Sequence, residues 1–408
     1  VSATTLPVEA FPALLTHEGQ ALLATLRDLD PAQELATATR LRRDHPAELV
    51  SAAIGQAGLR QRAVAKFGEA DAYRMYFTPD GVEQATRASV ATYRASRFAA
   101  LGVRRLADLC CGVGGDAIAL ARAGVSVLAV DRSPLTCAVA RANAEALGLA
   151  ELIEVRCADV RETSTEGYDA VFADPARRGT AKGRGGSQGG GRGRIFDPEA
   201  YSPPLSWAIG AARGAPYAAL KIAPGVPHEA IPEDADAEWI SDGGDVKEAV
   251  LWFGTAPGAR RATLLPGGAA LTGAHLPDPA PGPVGRWLYE PDGAVIRAHL
   301  VADVAQRVGG RLIDPTIAYI TSDDLVPTPY ATAYEITDVL PFNVKRLKAL
   351  LRERDIGVLT VKKRGSPVTP EELRKKVRPQ GSGAATVFLT RVAGAPAMLI
   401  GRPARALP

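Results

Sequence analysis

The apolar positions divide the chain into three regions. From residue 6 to about 70 they recur at helical spacing. Phe11, Leu14, Leu15, Leu22, Leu26 and Leu29 share one face, and Leu49, Val50, Ala53, Ile54 and Ala57 form a second stripe. Asp30-Pro31 and His45-Pro46 mark breaks between helices. A further helix is predicted over 82–98, with Thr78 as cap and Pro79 at the first helical position. From 106 onward short apolar runs alternate with helical patterns. The runs at 106–109, 125–130, 152–157, 168–173 and 217–222 read as buried parallel strands. Segments opening at Asp116 and at Ser133-Pro134 read as crossover helices, stopped by Gly124 and Gly148. Runs at 238–241, 246–253 and 261–265 suggest antiparallel strands that complete the sheet. Residues 276–284 (LPDPAPGPV) read as a linker. Beyond it the pattern predicts a helix at 294–308, a strand at 332–340, a helix at 343–354 and a strand at 357–363. Thr369-Pro370-Glu371-Glu372 opens another helix, and 386–391 with 397–400 make a hairpin. The expected fold is α/β. It has an N-terminal helical region (1–95), a Rossmann-like domain (96–275) and a small C-terminal α+β domain (284–408).

Composition narrows this only slightly. At 408 residues, two or three domains are the prior, and the apolar and charged fractions are those of a globular protein. No apolar run approaches the length of a membrane span. The first residues, VSATTLPVEAFPALL, lack a basic stretch followed by an apolar one and do not read as a secretory signal. Four cysteines, two of them adjacent in the first strand region, do not make a disulfide framework and fit a reducing cytoplasm. With no C-x-x-C and five scattered histidines, no metal is expected. The net charge of +3 is unevenly distributed. Between Lys345 and Arg378 there are twelve Lys or Arg against four Asp or Glu. Lys345, Arg346 and Lys348 form one cluster, Lys362, Lys363 and Arg364 a second, and Arg374, Lys375, Lys376 and Arg378 a third. Three clusters in one small domain read as an RNA or DNA footprint, although any one of them alone is ordinarily a solvated face. Arg60, Arg62 and Lys66 read as a solvated face that could also touch nucleic acid.

The stretch LADLCCGVGGDAIALARAGVSVLAVD (106–131) carries the chemistry. Gly112 permits a tight turn and Gly114 lets a ligand approach the backbone. Asp131, ending the second strand, can accept hydrogen bonds from both hydroxyls of a ribose. The spacing is D-x-x-x-G-x-G-G-D rather than the dinucleotide G-x-G-x-x-G. Acids at both ends, Asp108 and Asp116, would repel a pyrophosphate but suit a ligand with a cationic amino group. S-adenosylmethionine is therefore favoured over NAD, and a glycine turn without a ligand is the bland alternative. Asp159, just past the third strand, lies where an adenine amino group would be, unless it is a solvated turn acid. Asp174-Pro175 follows the fourth strand and would place a carboxylate and a carbonyl at the reactive end, able to hold an –NH2. Arg177 and Arg178 could pair with phosphate or carboxylate, or be loop charges. Residues 182–194 (KGRGGSQGGGRGR) read either as a basic loop that captures a polyanion or as an inert insertion.

Asp108–Asp116 with Asp131, Asp159 and Asp174-Pro175 resembles a class I S-adenosylmethionine-dependent methyltransferase, which implies a Rossmann-like seven-stranded sheet. DLCCGVGGD and Tyr76–Gly81 resemble the trimethylguanosine-synthase-like branch, which methylates the exocyclic amine of guanine in RNA. The chain as a whole looks like bacterial methyltransferases carrying a THUMP-like domain. The resemblance implies that Asp108, Gly112 and Gly114 hold the methionine part, Asp131 the ribose and Asp159 the adenine, with Cys110 and Arg132 lining the same cradle. It also implies that Phe77, Thr78 and Pro79 close the pocket, and that Asp174, Pro175 and Arg177 are catalytic. The amine-methylating families carry Pro and an aromatic where this chain has Ala176 and Arg177. An Arg plane can stack on a base as an aromatic would. The implied activity is cytoplasmic RNA methylation. The alternatives are a small-molecule or protein methyltransferase, and a non-catalytic RNA-binding protein that keeps the cofactor fold.

Overall fold

The computed structural model describes residues 10–176, 199, 201–273 and 276–404. The chain forms two compact units. The first comprises Val1–Ala223, Glu233–Ala235 and Val250–Pro257, and the second Pro224–Pro232, Asp236–Ala249 and Gly258–Pro408.

The first unit opens with helices α1 (Phe11–Leu15), α2 (His17–Thr25), α3 (Glu34–Leu41), α4 (Ala47–Phe67), α5 (Glu69–Ala72), α6 (Pro79–Gln84) and α7 (Ala88–Ala100). The predicted 82–98 helix is thus two helices. Ala85 and Arg87 adopt extended backbone between them. Helix α4 corrects the solvated reading of its cations. Arg60 is buried, donates to the Met75 carbonyl at 2.8 Å and lies 4.9 Å over the Tyr76 ring. Lys66 donates to the Glu83 and Ala85 carbonyls, the orphan acceptors at the end of α6. Arg62 remains exposed, with Glu83 3.5 Å away.

The alternating elements follow: β1 (Arg105–Leu109), α8 (Gly115–Arg122), β2 (Ser126–Asp131), α9 (Pro134–Ala146), β3 (Ile153–Cys157), β4 (Ala170–Ala173), α10 (Leu205–Arg213) and β5 (Tyr217–Ile222). Their strands pair in parallel in the order β3-β2-β1-β4-β5. Next come β6 (Asp236–Asp242), β7 (Asp245–Phe253), β8 (Arg260–Leu265) and β9 (Ala269–Thr272). Strand β7 contributes residues to both units, and the hydrogen-bonded order is β3-β2-β1-β4-β5-β7-β6-β8-β9. Nine strands stand where seven were expected. Strand β8 runs parallel to β6, not antiparallel, and β9 returns antiparallel along β8.

The second unit continues through β10 (Trp287–Pro291), α11 (Gly293–Arg297), α12 (Val301–Arg307), β11 (Arg311–Asp314), β12 (Ile317–Ser322) and β13 (Ala331–Pro341). It ends with α13 (Val344–Glu353), β14 (Ile356–Lys363), α14 (Pro370–Val377), β15 (Gly383–Val392) and β16 (Ala395–Pro403). The predicted helix at 294–308 is broken at His299, whose φ is +57°. The strands form a sheet ordered β11-β12-β10-β13-β16-β15-β14. Leu347 and Leu351 of α13 and Leu373 and Val377 of α14 pack with Leu359 and Val361 of β14 in one core, so both helices cover the same sheet face. Among the described residues no helix is long and apolar enough to cross a membrane.

Candidate functional site

In the order β3-β2-β1-β4-β5 the chain reverses direction of assembly between β1 and β4. The loops leaving those two strands diverge, and ligands of open parallel sheets bind in the crevice this creates. The glycine loop leaves β1 here, and Asp174 leaves β4.

The loop is held by β2. The Cys110 and Cys111 amides both donate to the Val130 carbonyl, at 2.9 and 3.0 Å. Cys110, Gly112 and Gly114 all have left-handed φ, of 68°, 57° and 85°. For the two glycines this costs nothing, whereas Cys110 holds a conformation that disfavours a side chain. Asp131 accepts from the Gly112 amide at 3.2 Å and the Ser133 amide at 2.9 Å. Its carboxylate therefore ties the end of β2 to the loop and to the start of α9. Arg132 beside it is exposed.

Asp108 is fully buried in β1, and neither carboxylate oxygen has a hydrogen-bond partner among the described residues. Burial, then the neighbouring Asp116 and Asp174, push its carboxyl well above the ordinary range. An orphaned buried acid among other acids is a poor structural element and a fitting receptor for a cationic donor. Asp116, by contrast, is paired with buried Arg94 of α7, whose guanidinium lies 4.5 Å over the Phe172 ring.

Two elements outside the sheet brace the loop. Asn143 of α9 is fully buried. Its side chain accepts from the Tyr76 amide at 2.6 Å and donates to the carbonyls of Tyr76 (3.0 Å) and Val113 (2.9 Å). Gln56 of α4 pairs with both backbone groups of Phe77, at 2.8 and 3.1 Å. The Phe77 ring is buried, 5.3 Å from that of Phe67. Thr78 accepts from the Gly81 amide at 3.0 Å and caps α6, with Pro79 in its first turn. A Cβ on Gly81 would collide with the Val113 side chain, so this turn lies directly against the glycine loop.

Asp159 caps the short turn Val160–Glu162 and is clasped by the Arg161 guanidinium. The side-chain and backbone hydrogen bonds from Arg161 hold its carboxyl down at about 2. It is half-buried and ionised, with Arg161 already occupying part of its acceptor capacity. Beside it a hollow of about 550 Å³ is lined by Leu109, Val160 and Trp207 among others.

Asp174 donates its amide to the Leu109 carbonyl at 3.3 Å, continuing the β1–β4 ladder by one residue. Its Oδ2 lies 2.6 Å from Nζ of Lys221, which also donates to Thr86 Oγ1 at 3.0 Å. Lys221 is buried near the carboxyl end of β5. Pro175 is buried, and Ala176 exchanges two backbone hydrogen bonds with Ser202. Arg177, Arg178 and residues 182–194 lie outside the described residues.

The structure thus gathers Asp108, Cys110, Gly112, Gly114, Asp131 and Asp174 around one crevice, with Thr78 and Pro79 against the loop. Sequence reasoning missed Lys221, Asn143, Gln56 and Arg94. The signals were there for Lys221, a lone charge in the apolar strand YAALKI, and for Asn143, a polar residue on an apolar helix face.

In the basic region the clusters divide. Lys345, Arg346, Lys348, Lys363, Arg374, Lys375 and Lys376 are exposed. Lys362 and Arg364 are half-buried. Both pair with Glu290 and lie over Tyr334 and Tyr319. Strand alternation sends them to the sheet face opposite the helices, which corrects the reading of the second cluster as one exposed footprint.

Family comparisons agree with this layout. Residues 106–176 match a methyltransferase domain, 331–403 a THUMP domain-like family and 7–63 a domain of unknown function. A crystal structure of a presumed methyltransferase from Porphyromonas gingivalis W83 superposes with a TM-score of 0.73, covering 92% of this chain and all of that one. At 22% identity it speaks for the fold. Two Mycobacterium tuberculosis proteins, from strains CDC 1551 and H37Rv, are each 34% identical over 346 residues, or 82% of this chain and 90% of theirs. Both are described as uncharacterised S-adenosylmethionine-dependent methyltransferases. An orphaned acid suited to an ammonium, a strand-end acid suited to a ribose and a fold shared over nearly the whole length converge, and the chain belongs to this family of S-adenosylmethionine-dependent methyltransferases.

Proposed function

We propose that this enzyme methylates an exocyclic amine of a base in RNA, with guanine N2 the favoured atom. The observation that carries the reading is Asp174. It sits at the carboxyl end of β4, its amide is fixed to β1 and Lys221 holds one of its oxygens. S-adenosylmethionine supplies an electrophilic methyl on a sulfonium, so the protein has no leaving group to activate. Its work is alignment, which can be worth roughly 7–11 kcal/mol. Asp108 receives the ammonium of the methionine part, with Gly112 and Gly114 giving the backbone room. Asp131 would bind the ribose and Asp159 the adenine amine. Cys110 and Arg132 line this cradle, and Phe77–Pro79 close it. Asp174 and the carbonyl beside it accept both hydrogens of the target –NH2. Lys221 engages Oδ2, so Oδ1 faces the amine and takes the proton it sheds. Pro175 fixes the direction of the carbonyl. Arg177 enters from the sequence alone, as a plane to stack on the base or a partner for phosphate.

RNA as substrate draws support from the THUMP-like match and from the exposed cations of α13 and α14. The test is transfer of labelled methyl from S-adenosylmethionine into total RNA, protein and small-molecule fractions, followed by nucleoside mapping. Label in N2-methylguanosine is the expected result. Label confined to protein or small molecules would overturn the assignment.

A further inference from the structure

Two of the four cysteines flank the strand-end acid rather than the glycine loop. Cys157 is the last residue of β3 and stands opposite Asp131 in the parallel β2–β3 register. Cys137 lies in the first turn of α9. Its Sγ donates to the Asp131 carbonyl at 3.2 Å and reaches the Arg156 carbonyl at 3.9 Å. Cys157 Sγ contacts the Arg132 carbonyl at 3.8 Å. Both sulfurs therefore gather at the carbonyls of two adjacent residues, and the Arg156 carbonyl that Cys137 reaches belongs to the peptide bond leading into Cys157. Burial first, and then the neighbouring Cys157, push the Cys137 thiol up to about 12, so Cys137 enters as a protonated thiol and its attack is the slow step. Cys137 is buried while Cys157 is exposed, so an oxidant in solution meets Cys157 first.

We propose that Cys137 and Cys157 are a site of reversible oxidation, closed by a hydroperoxide into a disulfide that weakens cofactor binding at Asp131. The sulfur of Cys157 attacks one peroxide oxygen and the O–O bond breaks. Cys157 becomes a sulfenic acid, and its proton leaves with the other oxygen as water. The sulfur of Cys137 then attacks that of Cys157. The S–O bond breaks, and the departing hydroxide takes the Cys137 proton as a second water. Two thiols and one hydrogen peroxide give one disulfide and two waters, with two electrons passing from sulfur to oxygen. Closure removes the Cys137 donor from the Asp131 carbonyl and ties the first turn of α9 to the end of β3. The Asp131 carboxylate is aimed by the Ser133 amide at the start of α9 and by Gly112, so its aim moves with that turn. The effect on binding rests on the proposed ribose role of Asp131. The disulfide itself does not.

The test treats the full-length protein with hydrogen peroxide, maps peptides without reduction, and measures S-adenosylhomocysteine affinity by calorimetry. Expected are a Cys137–Cys157 cross-link lighter by two hydrogens, at least about fivefold weaker binding, and recovery with dithiothreitol. Cys157→Ala should bind as the reduced protein does and ignore peroxide. No cross-link, a cross-link elsewhere, or an over-oxidised Cys157 would overturn the site. A mapped cross-link with unchanged affinity would overturn the coupling. Asp131→Ala separates the two readings: if it binds normally the ribose role fails, while the peptide map still decides the disulfide.

Discussion

Asp108 is the residue whose physics depends most on what the enzyme binds. Its carboxyl is pushed up by burial and by Asp116, Asp174 and Asp131, with Arg94 the opposing cation. A folded-state value above the unfolded one means the native protein holds this proton longer. The contribution of Asp108 to stability is therefore greatest at low pH and is lost as pH rises through its native value. An ammonium ligand reverses that preference, because it favours the ionised form. Affinity for S-adenosylhomocysteine should accordingly rise with pH above the ordinary carboxylate range while the ligand amine stays protonated. Calorimetry across pH should show proton release on binding in the wild type and none in Asp108→Asn. Equal pH profiles for the two would remove Asp108 from the ammonium site. Asp174 is tested by rate, with Lys221 holding one of its oxygens. Asp174→Ala should lose 10²–10³ in rate, about 2.7–4 kcal/mol, while still binding S-adenosylhomocysteine. Lys221→Met should also cut the rate, and Lys221→Arg should restore part of it. Near-normal turnover of Asp174→Ala on the native substrate would place the chemistry elsewhere.

At the scale of elements, the sequence disclosed what backbone geometry enforces and hid what buried polar side chains arrange. Gly112 and Gly114 were legible because left-handed turns demand them, and Asp108, Asp131 and Asp174 because strand ends in parallel sheets present them. Periodicity alone passes over the clamps. Gln56, Arg60 and Asn143 are polar residues on otherwise apolar helix faces, and a hydrophobic pattern treats each as noise. The break at His299 was missed for a related reason, since a left-handed residue that is not glycine leaves no mark in composition. Asn143 makes the cost of such blindness measurable. Asn143→Ala removes three hydrogen bonds and strands the buried Tyr76 amide and carbonyl, a local cost of about 2–4 kcal/mol. The Tyr76 and Phe77 amides should then exchange with deuterium faster, and S-adenosylhomocysteine should bind more weakly because the Val113 carbonyl loses its anchor. Unaltered exchange at Tyr76 would mean that Gln56 and Arg60 hold the segment without Asn143.

At the scale of the whole molecule, a net charge of +3 conceals a concentration of cations on one layer. Helices α13 and α14 bury their leucines against the same sheet face and turn their basic residues outward. Counting Lys and Arg overstated this surface, because Lys362 and Arg364 point through the sheet to Glu290 and contribute little net charge outward. The distinction can be tested by salt dependence. Each phosphate neutralised on single-stranded RNA contributes about 0.7 to the slope of log affinity against log salt. Replacing Lys345, Arg346, Lys375 and Lys376 with Gln should lower that slope by about 3 if all four contact phosphates. Replacing Lys362 and Arg364 should leave it nearly unchanged, though it strands the half-buried Glu290 and destabilises the sheet locally. Affinity for S-adenosylhomocysteine should not move in the helix variant, since none of these four residues belongs to the cofactor crevice. Filter binding of total RNA over a salt series reads the slope directly. A slope that falls with Lys362 and Arg364 but not with the helix cations would move the proposed RNA surface to the opposite face of the sheet.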